Sequence, residues 1–251
     1  FMSENQKKIW ITGASSGIGK AVAEKFAKEG WKVAISARRK EILDQISDNH
    51  NIFSFPLDVT NEENCKNTFK EILQKFNHVD ICFFCSGTYD PNKEKEMNIE
   101  QNKFVMNVNY FGTLNCVKAV EKYFKEQQQG QLSIVSSIAG YRGLPNSSGY
   151  GPSKAALTNF AESIYFDFKK YNVRVSVVSP GFIKTPLTDK NEFTMPFLRS
   201  PEFAANQVYK GLINSNAFEI HFPKQLTLLL KILRILPYKI YLFLIDKFVK
   251  R

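Results

Sequence analysis

The sequence has few cysteines and no secretory leader. Its four cysteines, scattered over 251 residues, are Cys65, Cys82, Cys85 and Cys116. The chain does not open with the basic, apolar and small-residue regions of a signal peptide. Few cysteines without a leader are typical of a reducing compartment. We therefore expect a cytoplasmic protein.

Long apolar runs and linkers are also absent. No stretch reaches the roughly 18 uncharged apolar residues that a membrane-spanning helix needs. No internal repeat, low-complexity tract or proline- or serine-rich linker marks a domain boundary before about residue 222. We expect a single domain at 8–221. A tag remnant and N-terminal lead at 1–7 would precede it, and a basic amphipathic tail at 222–251 would follow.

The sequence does contain enough apolar residues for a core. Hydrophobic residues make up 43% of the chain and aromatic residues 14%, a composition that excludes disorder and fibrous repeats. The 34 basic residues outnumber the 24 acidic ones, for a net charge of +10. This charge favours anionic partners such as phosphates, nucleic acid or a lipid surface, without choosing among them.

Short apolar runs alternate with helical patterns along the chain. Six runs are typical of strands, at residues 8–12, 32–37, 52–56, 79–85, 132–136 and 173–179. Between them apolar residues recur at helical spacing, as in 18–29. Near-continuous apolar strands alternating with helices indicate a parallel sheet covered on both faces. We predict an α/β fold with a three-layer, doubly wound, Rossmann-like sheet.

A glycine-rich turn joins the first strand to the first helix. It reads Thr12-Gly13-Ala14-Ser15-Ser16-Gly17-Ile18-Gly19, at the place where doubly wound folds hold a dinucleotide pyrophosphate. Glycines let the backbone approach phosphate, and the amides at the helix start attract an anion that Ser15 and Ser16 can also hydrogen-bond. The spacing differs from the G-x-G-x-x-G fingerprint. A tight strand-to-helix connection is the alternative interpretation.

The second predicted strand ends at Ser36-Ala37-Arg38-Arg39. An acidic residue at this place would hold the ribose 2'-hydroxyl of NAD(H), but the sequence has none there. Two guanidinium groups can instead bind a 2'-phosphate, which favours NADP(H). The alternative is a solvated basic turn that opens the second helix.

Tyr150 and Lys154 lie one helical turn apart in Tyr150-Gly151-Pro152-Ser153-Lys154. An ammonium group near a phenol stabilises the phenolate, so the pKa of Tyr150 is expected to fall from about 10 towards working pH. The phenol would then serve as a proton donor or acceptor. Because this spacing is common by chance, two unrelated surface residues are the alternative.

The order of these motifs resembles the short-chain dehydrogenase/reductase family. The glycine turn comes first, a Ser136-Ser137 pair then closes a strand, and the tyrosine and lysine follow. The resemblance covers essentially residues 8–221. It implies that Tyr150 is the general acid/base and that Ser137 holds the substrate carbonyl oxygen. It also implies that Lys154 lowers the tyrosine pKa and binds the nicotinamide ribose.

Further residues match the family's pattern. Asn109 resembles the asparagine that anchors a water in the proton relay, although a polar residue in a helix kink is the alternative. Asp58 and Val59 resemble the adenine contact, with a helix N-cap region as the alternative for Asp58. The segment after the sixth strand resembles the one that grips the carboxamide. The cofactor residues implied there are Pro180, Gly181, Ile183 and Thr185.

One segment departs from the family pattern. The family usually has Asn-Asn-Ala-Gly after the fourth strand, where this chain has Phe84-Cys85-Ser86-Gly87. Cys85 and Gly87 remain candidate cofactor contacts, and Gly87 keeps the close backbone approach. In the family, asparagine hydrogen bonds brace the neighbouring strands. In this chain other contacts must replace them.

Cys82 and Cys85 also form a C-x-x-C pair. Residues three apart on a strand face opposite sides. The sequence has no second pair, and its histidines are scattered at His50, His78 and His221. We therefore expect no metal or redox site.

The tail from 222 to 251 is rich in leucine, isoleucine, lysine and arginine. Polar residues at 224, 227, 231 and 234 form one narrow stripe on an otherwise apolar helix. Two uses fit: membrane-surface contact or a lipid-facing pocket, and a packing role within the chain or in a dimer. The segment 185–198, at the position of the family's substrate lid, contains Phe193, Met195, Phe197 and Leu198, which favours a hydrophobic substrate.

The functional hypothesis is an NADPH-dependent reductase that acts on a hydrophobic ketone or aldehyde. The alternative is a non-catalytic NADP(H)-binding, membrane-associated interaction protein on the same fold. We expect no nucleic-acid partner, because no aromatic-basic platform lies outside the cofactor signature. The resemblance implies a homodimer or homotetramer.

Overall fold

The computed structural model describes residues 6–47, 49 and 51–249. Most of the predicted N-terminal lead, His50 and the last two residues of the predicted tail lie outside the described residues.

The described residues form a seven-stranded parallel sheet. The strand order is β3-β2-β1-β4-β5-β6-β7, which confirms the predicted doubly wound α/β fold. The strands are β1 Lys8–Thr12, β2 Lys32–Ser36, β3 Ile52–Ser54, β4 Ile81–Phe84, β5 Gln131–Val135, β6 Arg174–Pro180 and β7 Glu219–Phe222. The first six overlap the predicted runs, whereas β7 was not predicted.

Helices follow the strands. They are α1 Gly17–Lys28, α2 Lys40–Ile46, α3 Glu62–Phe76, α4 Ile99–Met106, α5 Gly112–Gln127, α6 Tyr150–Lys169, α7 Pro201–Asn214, α8 Lys224–Ile235 and α9 Tyr238–Phe248. A π-helical turn, Asn107–Phe111, joins α4 to α5. Short 3₁₀ turns lie at Pro91–Lys93 and Ile138–Gly140.

The central strands of the sheet are buried on both faces, as β1 shows. In β1, Ile9 and Ile11 pack into one core cluster with α1 and α7. Trp10, between them, packs into the other cluster with α3, α5 and α6. All three side chains are fully buried, which explains why the run lacks the polar alternation of a half-buried strand.

The strand order reverses between β1 and β4, which are neighbours in the sheet. At such a switch point, the connections leave the carboxyl ends of adjacent strands in opposite directions and open a crevice. The glycine turn after β1 and the segment after β4 both lie at this crevice.

The C-terminal segment packs on the domain. Phe222, the first residue of the predicted tail, is the last residue of β7 and is buried in the core. The two helices after it contact the domain through Leu226, Thr227, Tyr241 and Ile245. Within the described residues, none of the helices has both the length and the apolar character needed to cross a bilayer.

Candidate active site

The glycine turn after β1 folds tightly against the end of β4. Gly13 has a φ of 68°, and a Cβ there would lie 2.7 Å from backbone atoms of Cys85 and Ser86. Ser16, the N-cap of α1, makes no side-chain capping hydrogen bond. The amides of the first turn of α1 are therefore not capped by this side chain, and they face the crevice as anion donors.

Two cations and a carboxylate lie beside this turn. Arg38 and Arg39 follow β2 and are exposed, and Arg39 Nη2 donates a hydrogen bond of 3.0 Å to Ser15 Oγ. Asp58 Oδ1 accepts from the amide and hydroxyl of Thr60 at 3.0 and 2.8 Å. Asn61, not Asp58, is the N-cap of α3.

These groups line one cleft with a volume of about 400 Å³. Every residue that the sequence assigned to cofactor binding contributes to its wall, together with Ser137. Residues that the sequence had not assigned to cofactor binding also line it, four of them within the predicted lid at 185–198. They are Ala37, Leu57, Thr60, Ser86, Thr88, Tyr89, Val108, Val135, Ser136, Pro186, Leu187, Thr188 and Lys190.

Ser137 and Tyr150 meet in this cleft. Ser137 caps the 3₁₀ turn after β5, and its Oγ accepts a hydrogen bond of 3.1 Å from the Ala139 amide. Tyr150 is the first residue of α6, and its side chain lines the same cleft as Ser137, whose hydroxyl favours the phenolate. A serine hydroxyl and a phenol thus form a pair that can hold one carbonyl oxygen.

Lys154 lies one turn along α6 and is 3% exposed. Its Nζ donates a hydrogen bond of 2.9 Å to the carbonyl of Val135 at the end of β5. It lies 5.6 Å from the centre of the Tyr150 ring. Burial lowers the pKa of Lys154 to about 8.

The expected lowering of the Tyr150 pKa is not found. Burial raises the pKa of Tyr150 to about 12, and the influence of the Ser137 hydroxyl only partly opposes this rise. The physical reason is that removing the phenol from water disfavours the phenolate. Lys154, directed at the Val135 carbonyl and itself desolvated, does not offset that penalty.

Asn109 lies in the π-helical turn and is fully buried. Its Oδ1 accepts a hydrogen bond of 2.7 Å from the Thr88 amide, and its Nδ2 donates to the Thr88 carbonyl and to Ser153 Oγ. The side chain therefore links the segment after β4 to α6. Unlike the other predicted catalytic residues, it does not line the cleft.

Thr12 braces the segment after β4, which is the one that departs from the family pattern. Its Oγ1 accepts from the amides of Cys85 and Ser86 at 3.2 and 3.4 Å. Phe84 instead packs edge-on against Trp10, with ring centres 5.9 Å apart. A Cβ on Gly87 would lie 3.5 Å from both Asn109 Oδ1 and Lys154 Nζ, so the glycine keeps this corner of the site open.

The two cysteines of the C-x-x-C pair point away from each other. Cys82 packs in the core cluster on one face of the sheet, whereas Cys85 packs against the cluster on the other face. Burial raises the pKa of the Cys85 thiol to about 11, so the thiol stays protonated at neutral pH.

Two residues after β4 support Tyr150 and were missed by sequence reasoning. The Tyr89 ring lies 4.7 Å from the Tyr150 ring, centre to centre. The Glu94 carboxylate is 3% exposed, and its Oε2 accepts from the amides of Gly149 and Tyr150 at 2.8 and 3.1 Å. No motif marks a glutamate that caps a helix more than fifty residues later.

The residues present fit a dinucleotide with a 2'-phosphate. The α1 amides suit a pyrophosphate, and Arg38 and Arg39 suit a further phosphate. On the other side of the cleft, a Cβ on Gly17 would lie 2.9 Å from Thr185. The glycine turn and the segment after β6 therefore approach each other closely. A side chain at position 17 would fill the narrow space between them.

Comparison with known proteins gives consistent matches. Residues 7–195 match the family model described as short chain dehydrogenase. An uncharacterized oxidoreductase of Myxococcus xanthus is 32% identical over 232 residues, covering 90% of this chain and 91% of that protein. The 3-ketodihydrosphingosine reductase of Mus musculus is 31% identical, covering 83% and 69%.

Solved structures show similar folds. A short-chain dehydrogenase from Streptomyces avermitilis superposes with a TM-score of 0.83 over 97% of this chain and 96% of that one, at 22% identity. The structure described as ElxO with NADP bound has a TM-score of 0.75 and 27% identity, covering 86% and 97%.

Proposed function

Because the chain belongs to the short-chain dehydrogenase family, we propose that it is an NADP(H)-dependent oxidoreductase that interconverts a hydrophobic ketone or aldehyde and its alcohol. The observation that supports this most directly is one cleft lined by the glycine turn, Arg38 and Arg39, and by Ser137, Tyr150 and Lys154.

In the proposed reduction, Ser137 and Tyr150 hold the carbonyl oxygen between their hydroxyls. When bound, the nicotinamide supplies the hydride that the carbonyl carbon receives. Tyr150 gives its phenolic proton to the oxygen as the alcohol forms. Its pKa of about 12 means that this proton is present at neutral pH before the reaction.

Lys154 is proposed to stabilise the phenolate left after proton transfer. Its Nζ lies beside the Tyr150 ring at 5.6 Å, and a charged ammonium there opposes the cost of a buried negative charge. The same group would bind the ribose hydroxyls of the cofactor, beside its bond to the Val135 carbonyl.

The preference for NADP(H) rests on Arg38 and Arg39. Both lie at the cleft after β2, and the end of that strand carries no acidic residue for a ribose 2'-hydroxyl. The Asp58 carboxylate in the same cleft accepts hydrogen bonds from Thr60. The bond from Arg39 to Ser15 links this cationic site to the glycine turn. ElxO, a relative in fold, was solved with NADP bound.

The proposal of a hydrophobic substrate is supported by apolar side chains next to Gly181, which lines the cleft. Phe182 follows the candidate carboxamide-binding Gly181 and stacks edge-on against Phe193 of the predicted lid, with ring centres 5.7 Å apart. The relative named 3-ketodihydrosphingosine reductase acts, by its name, on 3-ketodihydrosphingosine.

Purified protein should be tested for NADPH oxidation against a panel of aliphatic, aromatic and long-chain carbonyls, with NADH in parallel. We expect turnover with NADPH, fastest on an apolar carbonyl. Tight NADPH binding without turnover on any substrate would instead support a non-catalytic NADP(H)-binding protein. Absence of both binding and turnover would contradict the proposal altogether.

A further inference from the structure

The surface that the two C-terminal helices expose is rich in large apolar side chains. Large side chains that are about half or more exposed cover it. They are Leu228, Leu229, Ile232 and Ile235 on α8, and Tyr238, Ile240, Leu242, Phe243 and Phe248 on α9. We call these nine residues the apolar face. An ordinary surface helix turns such a face towards the core and its polar side towards water.

Three residues of the polar stripe of α8 contact the rest of the protein. Thr227 is fully buried, and its hydroxyl is hydrogen-bonded to His221 at 2.7 Å. Lys231 forms an ion pair with Glu219 of β7. Lys224 Nζ lies 2.9 Å from His221 Nε2. Because the polar groups serve as the attachment, the apolar groups are left to face outward.

The helix pair is firmly held in this orientation. Arg142 Nη1 donates to the carbonyls of Leu233 and Leu236 at 3.1 and 2.7 Å, at the end of α8. Its guanidinium lies 4.0 Å from the centre of the Tyr241 ring. The Tyr241 hydroxyl donates to the Gly143 carbonyl at 2.6 Å. The apolar face is therefore presented by specific contacts and does not result from loose packing.

The charges around this face match an anionic surface. Residues 224–249 include five basic side chains and one acidic one. Lys239 and Lys247 of α9 are exposed. Apolar and aromatic side chains next to lysine and arginine are typical of helices that lie in a membrane interface. A two-fold dimer through the same face would bring this cationic patch against its own copy, which costs repulsion.

We propose that α8 and α9 dock on a lipid surface that contains anionic headgroups. The helices have 12 and 11 residues, too short to cross a bilayer of about 30 Å. They lie in the interfacial plane, with the apolar face among the acyl chains and the exposed cations at the headgroups.

The docking helix α8 also packs against residues next to the cleft. Leu226 of α8 packs with Ile138 and Phe182, which directly follow the candidate site residues Ser137 and Gly181. A lipid carbonyl could then enter the cleft from the bilayer. This consequence rests on the proposed function, whereas the docking itself does not.

Flotation of the full chain with vesicles tests the docking. We expect it to float with phosphatidylcholine vesicles that contain phosphatidylglycerol, and much less with phosphatidylcholine alone. The double variant Ile232→Gln and Phe243→Gln should lower partitioning by at least about tenfold for each side chain removed from the lipid. The matched control Met97→Gln with Ile99→Gln changes two exposed apolar residues elsewhere and should float normally.

Thermal unfolding and NADPH binding of both double variants should match the unaltered chain, since all four side chains are exposed. The proposal is overturned if the unaltered chain stays unbound to the anionic vesicles or binds neutral vesicles equally. Equal flotation of the Ile232→Gln and Phe243→Gln variant also overturns it. A fall in molar mass of that variant, without lipid binding by the unaltered chain, would assign the face to a dimer.

Discussion

Arg38 and Arg39 are the residues whose guanidinium groups support the proposed preference for NADP(H). We expect Arg38→Ala with Arg39→Ala to weaken NADPH binding by about tenfold to a hundredfold, because hydrogen bonds to charged groups contribute roughly 1.5–3 kcal/mol. NADH, which lacks the 2'-phosphate, should bind about as before. Titration calorimetry with both cofactors measures this.

Lys40 provides the control for this pair. It is an exposed cation next to Arg39 that does not line the cleft. Lys40→Ala should leave both affinities unchanged. Equal losses for NADPH and NADH in the double variant would show that the arginines only support the glycine turn, through the bond from Arg39 to Ser15.

The buried Lys154 gives an expected pH dependence. Its pKa is lowered to about 8, so its charge is present below that pH and is lost above it. Cofactor binding and phenolate stabilisation both use the charged form. The kcat/KM for NADPH, which reports groups of the free enzyme, should therefore fall as pH rises through about 8.

Lys154→Arg tests the origin of this fall. A guanidinium keeps its charge at every accessible pH, so any activity that the variant retains should lack the decline near pH 8. A profile of the unaltered enzyme that stays level across this range would contradict the assignment. A decline that persists in Lys154→Arg would assign it to another group.

For individual residues, the sequence predicted which side chains lie close together but not how their pKa values are shifted. The spacing of Tyr150 and Lys154 placed them one turn apart on α6, as found. The sign of the tyrosine pKa shift was wrong because it depends on burial and on the Val135 carbonyl that the lysine selects. Neither is visible in a five-residue motif.

Among the elements, α6 depends on a carboxylate from a distant loop. Glu94 accepts the amides of Gly149 and Tyr150 at the start of this helix. A negative charge at this place also interacts favourably with the positive end of the helix dipole. Glu94→Ala would leave these amides without that acceptor, so we expect a loss of about 2 kcal/mol or more in the free energy of unfolding. Urea denaturation measures it.

The variant Glu94→Gln distinguishes the effect of the hydrogen-bond acceptor from the effect of the negative charge. The amide oxygen can still accept a hydrogen bond, so this variant should lose less stability than Glu94→Ala. Both should lower kcat more than they change NADPH binding, since Glu94 positions Tyr150 and does not line the cleft. Unaltered stability in both variants would show that the cap does not matter to the helix.

The sequence pattern predicted the first six strands but neither β7 nor the π-helical turn. β1 was predicted at its observed bounds, because five buried residues precede a glycine turn. β7 has only four residues, Glu219–Phe222, at the sheet edge, where alternate residues are only partly buried. The π-helical turn at Asn107–Phe111 has no sequence signal, since it depends on bonds from Asn109 to Thr88 and Ser153.

For the whole molecule, the order of strands and motifs was predictable because alternating strands and helices allow few topologies. The orientation of the C-terminal helices was not. Their pattern defined the polar stripe at 224, 227, 231 and 234, but not which side would pack on the domain. That choice follows from the positions of Glu219 and His221, which pair with Lys231 and Thr227.

An assembly of subunits is expected at this scale. Phe104, Phe111 and Phe166 are about half or more exposed on α4, the π-helical turn and α6, which pack together. Exposed apolar clusters mark interaction surfaces. Phe166→Glu should therefore lower the molar mass measured by light scattering. A single-chain mass for the unaltered protein would contradict this expectation.

The central claim is that the Tyr150 hydroxyl transfers the proton during carbonyl reduction, and a pair of single-atom removals tests it. Tyr150→Phe should bind NADPH normally and lose essentially all turnover. Tyr89→Phe removes the same atom from the neighbouring ring, whose hydroxyl donates to the Asn146 carbonyl, and should stay active. Substantial reductase activity in Tyr150→Phe would contradict the account.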